Sequence, residues 1–362
     1  MKTYRLPLLL IIFAFAFASS ALAQSLFVPA RYSNEVAVIN TATNQVVTQI
    51  PVGRFPIRIA MTLDRRKAFI SDAKSASISV LDTVARTVTA TIPVSRVPGE
   101  GAITPDGGRL FVVHESGLPG NLPVDVIDTV TNLVITTVLL PGYEAKDILF
   151  TPDGRFAYIA NNGNGEVDVI DTTTYQVTNI STGGRPRHLC ISPAGDRVYA
   201  TNNENYAVSV IDTATKQVIA TIPVGRRPLG IAITPNGEEV YAANQQDGTV
   251  SVIDTTTLTV IATIPTGNLC QLVVITRDGT KAFVQNGYSD TVSAIDTATH
   301  TVSATLPVGH HPWTMLASPD DTKLYVCNAT DTTVTVIDIP SLTVSDTIAN
   351  VGTAPFDLAF GR

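Results

Sequence analysis

Most of the residues that simple chemistries depend on are scarce in this chain. Of 362 residues only three are cysteine, five histidine and one tryptophan, and 15% are charged. Without a C-x-x-C pair there is no thioredoxin-like or zinc-ribbon site, and without C-x-x-C-H no covalent haem attachment. The motifs G-x-S-x-G and H-E-x-x-H are missing, as is a glycine-rich phosphate loop, so an enzymatic role rests on asymmetry among the chain's repeats alone. Cys190, Cys270 and Cys327 lie in or beside apolar stretches. They read as buried thiols, with one disulfide as the alternative. Beyond residue 23 no run of ~18 uncharged apolar residues occurs, which excludes a membrane-spanning helix in the mature chain.

At the N-terminus Lys2 and Arg5 precede an apolar run from Leu8 to Ala18, followed by Ser19-Ser20-Ala21-Leu22-Ala23-Gln24. Small residues at Ala21 and Ala23 fit a signal peptide over residues 1–23, cleaved after Ala23. The expectation is a single exported domain over residues 24–362, in the periplasm or at the cell surface. Lys and Arg number 24 against 31 Asp and Glu, a formal charge of -7. An acidic balance makes nucleic acid an unsuitable partner for the surface as a whole.

What the chain does have is repetition. Eight copies of a unit of roughly 42 residues run from Phe27 to Phe360, each with a core like Val250-Ser251-Val252-Ile253-Asp254-Thr255. The turn residue recurs at Asn40, Asp82, Asp128, Asp171, Asp212, Asp254, Asp296 and Asp338. Within one unit, Val240–Ala243, Thr249–Ile253, Val260–Ile264 and Leu272–Ile275 read as four short strands separated by Gly, Pro, Asn and Asp turns. A four-stranded sheet of this kind cannot bury both faces alone, so the units must stack. The fold expected is all-β: an eight-bladed β-propeller of four-stranded antiparallel blades. The first unit lacks an innermost strand and the last ends with a spare one, Phe356 to Phe360. Pairing the C-terminal strand with the N-terminal strands closes the ring; seven blades with a spare unit is the alternative.

Tyr241-Ala242-Ala243-Asn244, Thr249 to Asp254 and Pro223-Val224-Gly225-Arg226-Arg227-Pro228-Leu229-Gly230-Ile231-Ala232 resemble the YVTN family of β-propeller repeats. The resemblance covers essentially the whole mature chain. It implies a propeller similar to exported surface and periplasmic proteins, to lactonase-type enzymes, and to the haem d1 domains of nitrite reductases, which carry eight blades.

Features shared by every unit belong to the architecture. The repeated aromatic at Phe27, Phe69, Phe111, Tyr158, Tyr199, Tyr241, Phe283 and Tyr325 reads as packing between blades, and the turn Asp as a cap of its own turn. Function is sought where copies differ. Two residues after the corner that leads into each innermost strand, the family pattern has glycine; here only Gly230 keeps it. The other copies have Arg58, Glu100, Asp147, His188, Leu272, Thr314 and Asp357. The same rim collects Arg54, Arg187, Arg226, Arg227, His310, His311 and Trp313, and an insertion of four residues between His114 and Pro123.

Arg58, Glu100, Asp147, Arg187, His188, Arg226, His310, His311, Trp313 and Asp357 are therefore the candidate ligand-binding residues. Arginines suit a small anionic ligand through bidentate pairing. The reading is an exported binding or scaffold propeller, expected to be monomeric, that recognises such a ligand or a protein partner at the channel mouth. A hydrolase or lyase is an alternative, with Glu100 or Asp147 as base and His188 as acid across the channel. A haem d1-like cofactor-binding protein is another. No cofactor is required by any motif; haem or a metal ion at His188, His310 or His311 stays open.

Overall fold

The computed structural model describes residues 24–115 and 122–362; the candidate signal peptide and most of the insertion after His114 lie outside them. Thirty-two strands form eight four-stranded antiparallel sheets. Blade 1 combines Ser25–Ala30, Glu35–Asn40 and Gln45–Pro51 with the terminal strand Ala359–Gly361, which pairs antiparallel with Ser25 to Phe27. The expected closure is borne out, and the seven-bladed alternative is not. Blade 2 runs from Pro56–Met61 to Thr87–Pro93 and blade 3 from Val97–Ile103 to Val134–Leu140. The inner strands of blades 4 to 8 are Ala145–Phe150, Pro186–Ile191, Pro228–Ile233, Cys270–Ile275 and Pro312–Ala317.

Stacking buries what single blades leave open. Eight apolar clusters fill the eight interfaces between successive blades, including that between blades 8 and 1, where Tyr325 and Val336 meet Leu26, Leu358 and Phe360. All eight repeated aromatics are buried in these interfaces. At the edge away from the channel mouth, polar contacts bind one blade to the next. Lys67 Nζ donates to Thr129 O at 2.6 Å and Lys323 Nζ to Thr41 O at 2.7 Å, and between blades 6 and 7 Glu239 meets His300 at 2.8 Å. The cysteines are free, with Cys270 and Cys327 buried, as expected for thiols packed in a core.

One departure from regular strand geometry positions the site. In the seven inner strands of blades 2 to 8 the register shifts just after the corner, between Pro56 and Arg58, Pro186 and Leu189, Pro228 and Ile231, and their equivalents. A bulge breaks the strict alternation of side chains and re-aims them. In most of these blades two consecutive residues, such as Arg187 and His188, consequently line the channel mouth instead of one.

Candidate functional site

The bulges surround a cavity of about 520 Å³ at the mouth of the central channel. In ring order from blade 1, the deeper position reads Asp357, Arg58, Glu100, Asp147, His188, Gly230, Leu272, Thr314, so the ionisable groups occupy five consecutive blades. The position before it reads Phe356, Ile57, Gly99, Lys146, Arg187, Leu229, Gln271, Trp313. Two walls result. Lys146 and Arg187 come from blades 4 and 5; Trp313 and Phe356 come from blades 8 and 1, on the opposite side of an eightfold ring.

The aromatic wall is a stack. Trp313 and Phe356 lie 4.9 Å apart at 30°, His311 covers Trp313 at 5.8 Å, and the Arg31 guanidinium sits 3.6 Å from the Phe356 centroid. Phe356 is buried and Trp313 half-buried, so the indole is the larger surface left to a ligand. Arg31 and Arg58 also line the cavity. Four cations (Arg31, Arg58, Lys146, Arg187) thus face two carboxylates (Glu100 and Asp357) in a protein whose net charge is -7. Such a local excess attracts anions against the sign of the whole molecule.

Not every charged group is available. Arg58 Nε is hydrogen-bonded to Glu100. Burial works against the Arg58 charge, but Glu100 and Asp357 outweigh it and raise its pKa. Asp357 is enclosed by protein while keeping some contact with the channel's water; its Oδ2 accepts Ile59 N from blade 2 at 3.1 Å and its Oδ1 accepts Leu358 N at 2.9 Å. Burial above all, reinforced by Glu100 and opposed by Arg58, pushes its pKa up to about 6. Asp147 repeats this arrangement three blades further round the ring, accepting Leu189 N from blade 5 and Ile148 N, both at 2.9 Å. These two aspartates latch neighbouring inner strands together.

His188 stands beside Asp147 rather than across the channel from it, with Nδ1 3.5 Å from Asp147 Oδ2. Its backbone N–H, freed by the bulge, donates to Thr201 Oγ1 at 3.1 Å. Nε2 is the nitrogen left over for a ligand. Gly230 stays glycine for a steric reason: a Cβ there would lie 2.3 Å from Gln271 O of the next inner strand.

Other candidates fall outside the cavity. Arg226 is exposed on the rim and paired with Asp247 at 2.5 Å. His310 is 71% exposed and paired with Asp331 at 2.9 Å, which raises its pKa. Neither faces the channel, and among the described residues no cluster of three or more His, Cys, Asp or Glu is arranged to hold a metal ion. His114 is not a rim ligand at all. It is buried, with Nε2 2.9 Å from Asp125 Oδ2, at the place where other blades pair Asn with Ser, as in Asn202 and Ser209 at 2.7 Å. Sequence reasoning missed Arg31, Lys146, Gln271 and Phe356. Three of them immediately precede an inner-strand position that was singled out, and in blades 4 and 7 a bulge turns Lys146 and Gln271 inward.

Known proteins resemble this chain in the same region. The cytochrome D1 heme domain family model matches residues 153–286, from blade 4 into blade 7, a stretch that includes Arg187 and His188. No curated protein matches the sequence. Among solved structures it is similar to dihydro-heme d1 dehydrogenase NirN in complex with DHE, with a TM-score of 0.79 and 15% identity over 93% of this chain and 75% of that one. It is also similar to the hydrazine synthase of Kuenenia stuttgartiensis, with a TM-score of 0.63 and 24% identity over 78% of this chain and 95% of that one. A functionally unknown protein from Desulfotomaculum acetoxidans gives a TM-score of 0.63 and 19% identity over 93% and 99% of the two chains. The chain is an eight-bladed propeller, and its blades 4 to 7 carry the likeness to the cytochrome d1 haem domain.

Proposed function

We propose that this protein is an exported binding propeller that takes a planar tetrapyrrole of the haem d1 type, with its acid side chains, into the channel mouth without covalent attachment. The observation that carries this reading is the pair of opposed walls: Trp313, stacked on the buried Phe356, offers an apolar aromatic surface, and Arg187, beside Lys146, offers charge-assisted hydrogen bonds to carboxylates on the far side. A cavity of about 520 Å³ falls within the range of small-molecule and cofactor sites. The family match over residues 153–286 and the fold shared with NirN support the same class of ligand.

Iron in such a macrocycle would supply a Lewis-acidic centre and reversible electron transfer. His188 Nε2 is the nitrogen this chain would offer it, and Asp147, beside Nδ1, orients the imidazole. Arg187 and Lys146 would hold acid groups, and Trp313 would exclude water from one face of the ring. Binding is better supported than hydrolysis. Glu100 is engaged by Arg58 and Asp147 by two backbone N–H groups, so neither carboxylate stands ready as a base.

Titration of the purified protein with haem d1, followed by visible absorption, is the test. Saturable one-to-one binding is expected, weakened about tenfold or more by Arg187→Gln, and with an altered Soret envelope in His188→Ala. Absence of any saturable spectral change in the wild-type protein rejects the reading.

A further inference from the structure

Beside the channel, the same rim carries a second concavity, a groove of about 480 Å³ over blades 4 to 6. Three arginines converge on it: Arg185 and Arg187 from the corner that opens the inner strand of blade 5, and Arg227 from the loop entering that of blade 6. The loops are fixed from behind. Asn162 Nδ2 donates to Pro186 O at 3.3 Å, Asn203 N to Arg185 O at 2.9 Å, and Gln245 N to Arg227 O at 3.1 Å, and Arg227 itself holds a left-handed backbone at φ 53°.

The carboxylates nearby are already engaged. Glu204 pairs with Arg185 at 3.1 Å and Glu144 with Lys146 at 2.5 Å. Neither Arg187 nor Arg227 makes an ion pair among the described residues. Burial lowers the Arg187 pKa, and attraction from Glu144, reduced by repulsion from Arg227, only partly offsets it. Two guanidinium groups that line one groove without ion pairs of their own leave their donors to an entering anion.

We infer that this groove is an oxyanion site, separate from the channel, for a small phosphate-type or carboxylate dianion gripped by Arg187 and Arg227. Arg187 also lines the channel cavity. An anion in the groove draws that guanidinium outward and away from an acid group in the channel, so the two sites oppose one another, and the coupling is reciprocal. The second half of the inference rests on the tetrapyrrole reading; the first does not.

Inorganic phosphate is the probe, titrated calorimetrically into the whole protein. Saturable binding is expected that weakens with added salt and falls about tenfold in Arg227→Gln. Arg54→Gln, a rim arginine on blade 2, leaves it unchanged. Equal binding by the wild type and Arg227→Gln, or no saturation in the wild type, overturns the site. Arg227 is exposed, so its variant is expected to fold, which circular dichroism checks. Phosphate should also weaken haem d1 binding in the wild type but not in Arg227→Gln, whose haem d1 affinity without phosphate is unchanged. Phosphate binding with no haem d1 binding sinks the tetrapyrrole reading alone, whereas both binding without mutual effect sinks the coupling.

Discussion

The blades present two eightfold rings, one at each end, and the rings solve opposite problems. At the end away from the mouth, Asn40 and seven aspartates cap their own turns. Asp254 accepts Thr256 N at 3.0 Å and Thr257 N at 2.6 Å, and Asn40 makes the same pair of bonds at 2.9 and 3.2 Å. At the mouth, the ring from Asp357 to Thr314 holds seven residue types in eight places. A position whose demands are local converges on one answer in every copy. A position whose neighbours lie across a channel is released from that demand, and specificity can accumulate there.

Removing residues 355–362 should break both rings at once, and is expected to be the most damaging change. Blade 1 loses the strand paired with Ser25 to Phe27, and the interface with blade 8 loses Leu358 and Phe360. Loss of a single cooperative melting transition is expected; retention of a sharp one shows that closure does not depend on the terminal strand. Next in size is Asp125→Ala, which leaves His114 buried without its partner. Each buried group left unpaired costs about 1–3 kcal/mol, and Asp125→Ala strands three partners, His114, Thr137 Oγ1 and Ser95 N, against one for Asn202→Ala at the equivalent pair. Denaturant titration that finds the two equal removes blade 3 from its special place. Burial disfavours the Asp125 charge, but bonds from His114, Thr137 and Ser95 outweigh it and hold the pKa down to about 2. That stabilisation is full above the ordinary carboxylate value and is lost as pH falls towards 2.

Much of this was legible beforehand. Strand alternation and the 42-residue step dictated blade number, closure and the buried aromatics, because those depend on periodicity alone. The deeper ring of eight residues could also be counted from the corner prolines. Its chemistry could not. Nothing in the sequence distinguishes Asp147, whose carboxylate is committed to Leu189 N, from a free base, because the donor comes from another blade. Nor does hydrophobic patterning reveal a bulge that turns Lys146 and Gln271 into the channel. The role of His114 was hidden for a similar reason: its partner Asp125 lies beyond the insertion, 11 residues on rather than seven as for Asn202 and Ser209.

The neutral arc of the mouth ring, Gly230 to Thr314, offers a smaller test. Gly230→Ala drives a methyl into Gln271 O and the Leu272 backbone, an overpacking expected to cost about 1–3 kcal/mol. Thr314→Ala, with no such neighbour, should change stability little. If the two substitutions are equally mild by thermal melting, the inner strands of blades 6 and 7 are not as close as described, and glycine at that place has no steric cause.

The gentlest change is one substitution made in each ring, Asp254→Asn and Asp357→Asn, because both keep the side-chain shape. Main-chain N–H groups from Thr257 and its neighbours lower the Asp254 pKa. Its ionised form therefore supports the fold above the ordinary carboxylate value of about 4, and that support fades as pH falls. Asparagine already serves at position 40, so at neutral pH Asp254→Asn should melt close to the wild type. Asp357 has the opposite sign. Its pKa of about 6 means that the native state prefers the protonated form; the penalty for ionising is complete above pH 6 and is relieved as pH falls through 6 towards 4. Partial contact with the channel's water limits this to the order of 1 kcal/mol. Going from pH 7 to pH 5, the wild type should gain stability relative to Asp357→Asn, while its difference from Asp254→Asn stays flat and narrows only below pH 4. Parallel stability profiles for the two variants would mean that the mouth aspartate is as well solvated as a turn cap, and that the two rings differ in sequence but not in electrostatics.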